Sequence, residues 1–261
     1  MKISFEKYHG AGNDFILIDN INSSIGLDEK SVAQLCDRHL GIGADGVILI
    51  QEKESCDFEM IYYNADGGLG SMCGNGGRCA VIFARKLGMI DREATFVAYD
   101  GIHRAIVKED TTVKLSLLPV QGVKQDSNGD YILNTGSPHL VKFIQNINKL
   151  DVFTEGRAIR NNENYKKEGI NVNFVAAEKD AISMRTYERG VENETLSCGT
   201  GTVAVAMALA VKENKMNRHE YTINAPGGIL KVYFHRKDEN SFEDVWLEGP
   251  VEFVFSGDIE I

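Results

Sequence analysis

Two cysteines stand out for chemistry. Cys73 closes the run Asn64-Ala65-Asp66-Gly67-Gly68-Leu69-Gly70-Ser71-Met72 and is followed by Gly74-Asn75-Gly76-Gly77-Arg78. Cys198 closes Glu188-Arg189-Gly190-Val191-Glu192-Asn193-Glu194-Thr195-Leu196-Ser197 and is followed by Gly199-Thr200-Gly201. Each run is polar and turn-rich, ends in Cys-Gly-x-Gly, and leads into an apolar pattern of helical period. The thiolate is the basic form of cysteine, and a helix N-terminus can lower a thiol pKa from about 8.5 into the range of roughly 3.5–7.5. The same N-terminus offers N–H groups that suit a carboxylate, and the glycines let it approach the backbone.

With one sulfur on each face of a bound carbon, one thiolate can remove an α-proton while the opposite thiol returns a proton to the other face. A carboxylate held by both helix starts would take up the enolate-like charge. That scheme needs no cofactor. Other readings stay open from the residues alone. A buried cysteine is often only a small hydrophobe, and two nearby thiols can form a redox pair, although neither lies in Cys-x-x-Cys. The spacing of Cys73 and Cys79 does not suit zinc, so no metal is expected. Cys36, Cys56 and Cys79 read as core or incidental.

The elements that must carry these groups come in two similar sets. A turn-like His9-Gly10-Ala11-Gly12-Asn13-Asp14 precedes the apolar Phe15-Ile16-Leu17-Ile18. Asp28 to Leu40 reads as a helix capped by Asp28, with Val32, Leu35, Cys36 and His39 on one face. Loop 41–46, strand Val47 to Ile50, strand Phe58 to Tyr63 and a helix from Gly74 to about Leu87, closed by Gly88, follow. Three strands, Thr95 to Tyr99, Gly101 to Val107 and Thr112 to Leu118, are joined by the turn pairs Asp100-Gly101 and Glu109-Asp110. The order then recurs. Tyr131 to Leu133, Asn134 to His139 and Leu140-Val141 parallel the opening; Gly169 to Val175 and Ala181 to Tyr187 precede the second cysteine; a helix from Gly199 to about Glu213 follows. Tyr221 to Val232 matches Phe96 to Val107, and Val245 to Leu247 and Val251 to Phe255 are final strands.

The expected fold is therefore α/β in the α+β sense. Two pseudo-symmetric halves would each be a curved, mostly antiparallel sheet around a central helix, with the active site in the cleft between them. Residues 1–118 with 249–261 form the half carrying Cys73, and 119–248 the half carrying Cys198. Leu118 to Gly122 reads as the linker, with the chain end crossing back to the first half.

With 261 residues, 43% of them apolar, the chain can fill a sizeable core. A net charge of −10 argues against nucleic acid or an anionic membrane as partner. The start has no apolar signal segment, and the run Val203 to Val211 is too short to span a bilayer. An odd set of five cysteines fits a reducing compartment, so a cytoplasmic protein is expected.

The motifs His9 to Phe15, Gly41-Ile42-Gly43-Ala44-Asp45, Tyr63 to Gly67, Cys73-Gly74-Asn75-Gly76, Gly136-Ser137-Pro138-His139, Tyr187 to Gly190 and Cys198-Gly199-Thr200-Gly201 run the length of the chain. Together they resemble the diaminopimelate epimerase family. The resemblance implies a cofactor-free conversion of LL-2,6-diaminopimelate to the meso form, in lysine and peptidoglycan precursor synthesis, by a homodimer. It makes Cys73 and Cys198 the acid–base pair, and Gly74, Asn75, Gly199 and Thr200 the cradle for the reacting carboxylate. Asn13, Asn64, Asn171, Glu188 and Arg189 would hold the substrate, and His139 and Glu188 would tune the thiols. Gly46 stands where some members carry a substrate-contacting Gln, Ser137 where many carry Asn, and the loop from Arg189 to Cys198 is one residue longer than in some members. The other readings are a two-thiol racemase of proline or hydroxyproline, whose first cysteine is typically followed by Gly-His-Gly; a thiol redox protein; and a binding protein that has lost catalysis.

Overall fold

A computed structural model describes residues 2–108, 111–178 and 181–261. The chain divides into two compact units, Met1–Leu115 with Gly249–Ile261, and Ser116–Glu248. The elements of the first are β1 (Lys2–Gly10), β2 (Asn13–Asp19), α1 (Glu29–Cys36), β3 (Gly46–Gln51), β4 (Phe58–Asn64), α2 (Gly74–Lys86), β5 (Glu93–Ala98), β6 (Gly101–Val107) and β7 (Val113–Ser116). The second contains β8 (Val120–Gln121), β9 (Lys124–Gln125), β10 (Tyr131–Asn134), β11 (Pro138–Phe143), α3 (Val152–Arg160), β12 (Asn171–Glu178), β13 (Ala181–Glu188), β14 (Asn193–Thr195), α4 (Gly199–Lys212), β15 (Asn217–Ala225), β16 (Gly228–Arg236) and β17 (Ser241–Gly249). The final strand, β18 (Glu252–Glu260), returns to the first unit and lies antiparallel on β1, with Lys2 opposite Glu260.

The pairing pattern repeats. From β1 to β7 successive neighbours are antiparallel, parallel, antiparallel, parallel, antiparallel and antiparallel. The series β10, β11, β12, β13, β15, β16 and β17 has the same order. The strands of each unit pack on that unit's own helix. α2 packs on β1, β2, β3, β4 and β6, and α4 on β10, β11, β12, β13, β15 and β16. A helix apolar all round must be surrounded, and α4 is buried without a break from Thr202 to Leu209 and on to Ala210. Both helices are therefore central, and both begin at a cysteine.

The local chemistry explains several boundaries. Asp28 does cap α1, accepting from Ser31 N, but the helix stops at Cys36 instead of continuing to Leu40. Asp37 turns to extended backbone, and its carboxylate accepts from the N–H groups of both His39 and Leu40 at 2.7 Å. His39 thus lies in the following turn, off the helix. The opening turn is narrower than the glycine-rich run suggests. His9 and Gly10 belong to β1, a strand absent from the sequence reading, and only Ala11-Gly12 turn, both at positive φ as a tight hairpin requires.

The linker expectation also changes, because Val120 and Gln121 form a short strand opposite Phe242 and Ser241 within the second unit. Helix α3 and the short strands β9 and β14 lie outside the elements that the sequence predicts. α3 is capped by Asp151, which accepts from Thr154 N, and it packs on β12 and β13. The expected turn at Glu109-Asp110 lies outside the described residues. Among the described residues no helix is long and apolar enough to cross a membrane.

Candidate active site

Cys73 is the N-cap of α2, in extended backbone, and its carbonyl already accepts from Gly77 N at 2.7 Å. Its sulfur does not cap the helix, which leaves the first N–H groups to other acceptors. Gly74 and Asn75 are the first residues of the helix, both buried. Asn75 Nδ2 donates to Asn13 Oδ1 at 3.1 Å, and the same oxygen stands 3.7 Å from Cys73 Sγ. Asn13, at the start of β2, donates its Nδ2 to Asp45 Oδ2 at 2.6 Å. Three sequence-predicted residues, Asn13, Cys73 and Asn75, are thus brought together in the first unit. Asn64 ends β4, is exposed, and shapes the following turn: its N–H donates to Gly68 O and its carbonyl accepts from Gly67 N.

Behind this group lie charged residues that the sequence reading passed over. Arg78 has no exposed surface. It donates from Nη1 to Gly74 O and from Nη2 to Asn75 Oδ1, and burial lowers it to a pKa of about 10. Asn75 and Arg78 are three apart, so they share a helix face, which is the signal the sequence did carry. Asp45 belongs to a cluster in which Arg38 binds both Asp14 and Asp45, while the buried Lys7 binds Asp14 at 2.8 Å and the carbonyl of Gly43. Burial alone would raise the Asp14 carboxyl, but its bonds to Arg38 and Lys7 prevail and hold it well below the usual range. Asp45 goes up, first from burial and then from the Asp14 charge. Burial pushes the Cys36 thiol up to about 12 and Cys79 higher still, so both are inert members of the core.

Cys198 is the N-cap of α4 and is buried. Its Sγ lies 3.6 Å from Thr200 Oγ1, and its carbonyl accepts from both the N–H and the hydroxyl of Thr202. His139 has no exposed surface and lies with Nε2 3.0 Å from Thr200 Oγ1 and Nδ1 3.1 Å from Asn173 Nδ2. Burial, and secondarily the Arg189 charge, lowers its pKa to about 3, so the ring is neutral. Asn173 is not among the site residues that the sequence motifs point to. It sits two residues after Asn171 on the same strand, hence on the same face. Gly201 allows the arrangement, since a Cβ there would lie 2.4 Å from Asn173 Oδ1.

The remaining predicted residues of this unit form a separate bracket. Asn171 donates to Ser137 Oγ and Pro138 O and accepts from Arg189 N at 2.8 Å. Arg189 donates to Glu168 O and Ser137 Oγ. Glu188 Oε2 accepts from Thr195 at 2.8 Å. Glu188, the last residue of β13, and Arg189, in the turn that follows, thus serve different partners. Among the described residues no group of three or more His, Cys, Asp or Glu is placed to hold a metal ion.

Each unit therefore presents a cysteine at the start of a buried helix, next to glycine N–H groups and an amide- or hydroxyl-based hydrogen-bond chain. Residues 5–120 and 131–254 match the family model for diaminopimelate epimerase. The chain belongs to the diaminopimelate epimerase family. It is 48% identical over 252 residues to the diaminopimelate epimerase of Flavobacterium psychrophilum, covering 95% of this chain and 97% of that one. In fold it is similar to a phenazine biosynthesis protein of the PhzF family from Bacillus anthracis, with TM-score 0.76, 15% identity and full coverage of both chains. It is also similar to a hydroxyproline epimerase from Agrobacterium vitis, with TM-score 0.67, 14% identity and coverage of 99% and 92%. The family is one of isomerases, and these likenesses agree with the two-unit, strand-rich α/β architecture.

Proposed function

We propose that this protein interconverts LL-2,6-diaminopimelate and meso-diaminopimelate without a cofactor, by proton transfer at one α-carbon between Cys73 and Cys198. The observation that carries the reading is the duplicated cysteine N-cap, met twice in equivalent positions of a chain of this family. In this reading one sulfur acts on each face of the substrate's α-carbon. One thiolate takes the α-hydrogen as a proton, breaking C–H and forming S–H. The opposite thiol gives up its proton, breaking S–H and forming C–H on the other face. Between these events the electron pair is delocalised into the carboxylate, held by the N–H groups of Gly74, Asn75, Gly199 and Thr200. Asn13, Asn64, Asn171, Glu188 and Arg189 bind the substrate, and His139 and Glu188 tune the thiols. The amide, guanidinium and carboxylate groups in that set match a substrate with two carboxylates and two ammonium groups.

The product would feed lysine and peptidoglycan precursor synthesis in the cytoplasm, with no nucleic-acid or membrane partner. The working form would be a homodimer. Support comes from β18, which pairs only with β1 among the described residues and exposes Phe253, Val254 and Phe255; an exposed apolar edge strand is normally covered.

Incubation with LL-diaminopimelate in deuterated water tests the reaction. Formation of the meso isomer with deuterium at one α-carbon is expected, and proline and hydroxyproline should remain unlabelled. Absence of both label and meso product would sink the reading.

A further inference from the structure

Arg78 is a charge without a counter-charge. Its guanidinium has no exposed surface. Nη1 donates to Gly74 O at 3.2 Å and Nη2 to Asn75 Oδ1 at 2.9 Å, while Nε has no hydrogen-bond partner. Among the described residues no carboxylate pairs with it; the ionisable groups that act on it are the thiols of Cys79 and Cys73. The acids of β2 and of the loop before β3 are already engaged, Asp14 by Lys7 and Arg38, and Asp45 by Arg38. At a pKa of about 10 the guanidinium is still charged at neutral pH. A buried charge held only by neutral oxygens is costly to keep.

The fold does not require that charge. In the duplicated helix start, Cys73 to Arg78 correspond to Cys198 to Val203. Where α2 carries Arg78, α4 carries Val203, equally buried. The start of α4 is tied instead by Thr202, whose hydroxyl donates to Cys198 O at 2.9 Å. An apolar residue thus serves at the same place in the same kind of helix. The first unit also makes room for the guanidinium. Gly10 ends β1 beside it, and a Cβ there would stand 3.0 Å from Asn75 O and 3.2 Å from Arg78 Nη2. Packing alone gives no reason for the charge.

We propose that Arg78 is a positioning residue for the reacting carboxylate, supplying the positive charge one turn behind the Gly74-Asn75 N–H groups and fixing the Asn75 side chain beside them. The inference deepens the proton transfer proposed above and rests on it. In that reaction the carboxylate carries one negative charge when bound and takes up a second as the α-proton leaves. A helix start contributes N–H groups and about half a unit of positive charge. Arg78 adds a full unit out of contact with water, and it acts through Gly74 and Asn75 without touching the substrate. A guanidinium only donates, so its bond to Asn75 Oδ1 also decides which way that amide points. The Asn75 nitrogen is thereby left to Asn13 Oδ1, at 3.1 Å. α4 has no counterpart of this residue, so the α2 start carries more of the anion's charge.

Two small alkylating reagents read this charge without turnover. Iodoacetate and iodoacetamide both need the thiolate, but only iodoacetate carries a carboxylate. The ratio of their rates at one cysteine therefore reports attraction for an anion and not thiol ionisation. Peptide mass spectrometry of the full, ligand-free chain gives the ratio at Cys73, with Cys56 of the same unit, also partly exposed, as the reference in each sample. Relative to Cys56, the Cys73 ratio should fall on the order of tenfold in Arg78→Met. It should be largely kept in Arg78→Lys, which retains the charge without the fork. Circular dichroism reports whether each variant is folded. Should Arg78→Met not fold, the wild-type chain carries the test, since its Cys73 ratio must fall when the chain is unfolded in urea.

In turnover, Arg78→Met should lower kcat for meso-isomer formation by on the order of 100-fold. It should also raise the primary isotope effect seen with α-deuterated substrate, because a less stabilised anion makes proton abstraction more nearly rate-limiting. A smaller folded fraction would lower the rate without moving that isotope effect. Arg78→Lys should recover part of the loss. An unchanged Cys73 ratio in folded Arg78→Met, a lysine variant that loses the ratio as fully as methionine does, or full kcat with an unchanged isotope effect would overturn the assignment. Alkylation does not depend on the substrate. A wild-type chain that shows the ratio change but no epimerisation would therefore count against diaminopimelate and leave the charged anion cradle standing.

Discussion

His139 and Thr200 are joined Nε2 to Oγ1 at 3.0 Å, with the imidazole wholly out of contact with solvent. The ring must stay neutral to remain there. Its folded pKa of about 3 lies below the ordinary value of 6.5, so between these limits the unfolded chain binds the extra proton. Stability from this site is full above the unfolded pKa and is lost as pH falls toward the folded one, by an amount on the order of a few kcal/mol. Urea unfolding across that acid range should show a slope that His139→Gln removes. An unchanged slope in the variant would mean that other groups govern the acid limb.

Replacing either sulfur should separate folding from chemistry. Cys73→Ser and Cys198→Ser should each keep the circular dichroism spectrum and lower kcat/KM for meso-isomer formation by at least about 100-fold. Full activity in either variant defeats the two-thiol scheme.

The face of Gly46 is covered by an aromatic ring. A Cβ there would lie 2.5 Å from both Tyr62 Cε2 and Tyr63 O. Gly70 meets the same ring from another segment, at 2.4 Å. A side chain at 46 is therefore excluded unless both the Tyr62 ring and the Tyr63 carbonyl give way. Gly46→Ala should lower stability by about 1–3 kcal/mol, read as a fall in Tm. Combining it with Tyr62→Ala should recover part of that loss, and no recovery would show that the backbone clash with Tyr63 dominates.

The homodimer proposal makes β18 testable. Phe253 and Phe255 pack on Tyr8 and Phe5 of their own chain, so Val254, which is 49% exposed, is the cleaner probe. Val254→Asp should shift the sedimentation coefficient from dimer to monomer at micromolar concentration with the fold intact. A wild-type protein that already sediments as a monomer would remove the proposal.

Local sequence rules carried much of the fold. The Asp28 cap, the cysteine starts of α2 and α4, the Gly88 stop and the repeated order of strands all follow from nearest-neighbour chemistry and apolar period. The failures have equally specific causes. β1 is hard to read from the chain because the polar Lys7 interrupts its apolar alternation, and Lys7 is buried because Asp14, on the paired strand β2, and Gly43, 36 residues away, receive its ammonium group. Its pairing with β18 shifts register between Lys7 and Tyr8, which further blurs the pattern. Gly156 weakens the helical signal of α3, and that glycine is required because a Cβ there would lie 2.3 Å from Tyr187 Cβ.

The site divides in the same way. The chain itself determined that two cysteines would open two buried helices, with glycine N–H groups beside them, because a helix start is written in a few consecutive residues. Folding decided what each sulfur meets. Asn13 reaches Cys73 from 60 residues away, and His139 reaches Thr200 from 61. Which end of an amide or imidazole faces a sulfur depends on an acceptor fixed elsewhere, at Asp45 in one unit and at the Leu140 carbonyl in the other. Hydrogen-bond polarity is passed on through space, so only the packed chain could set it.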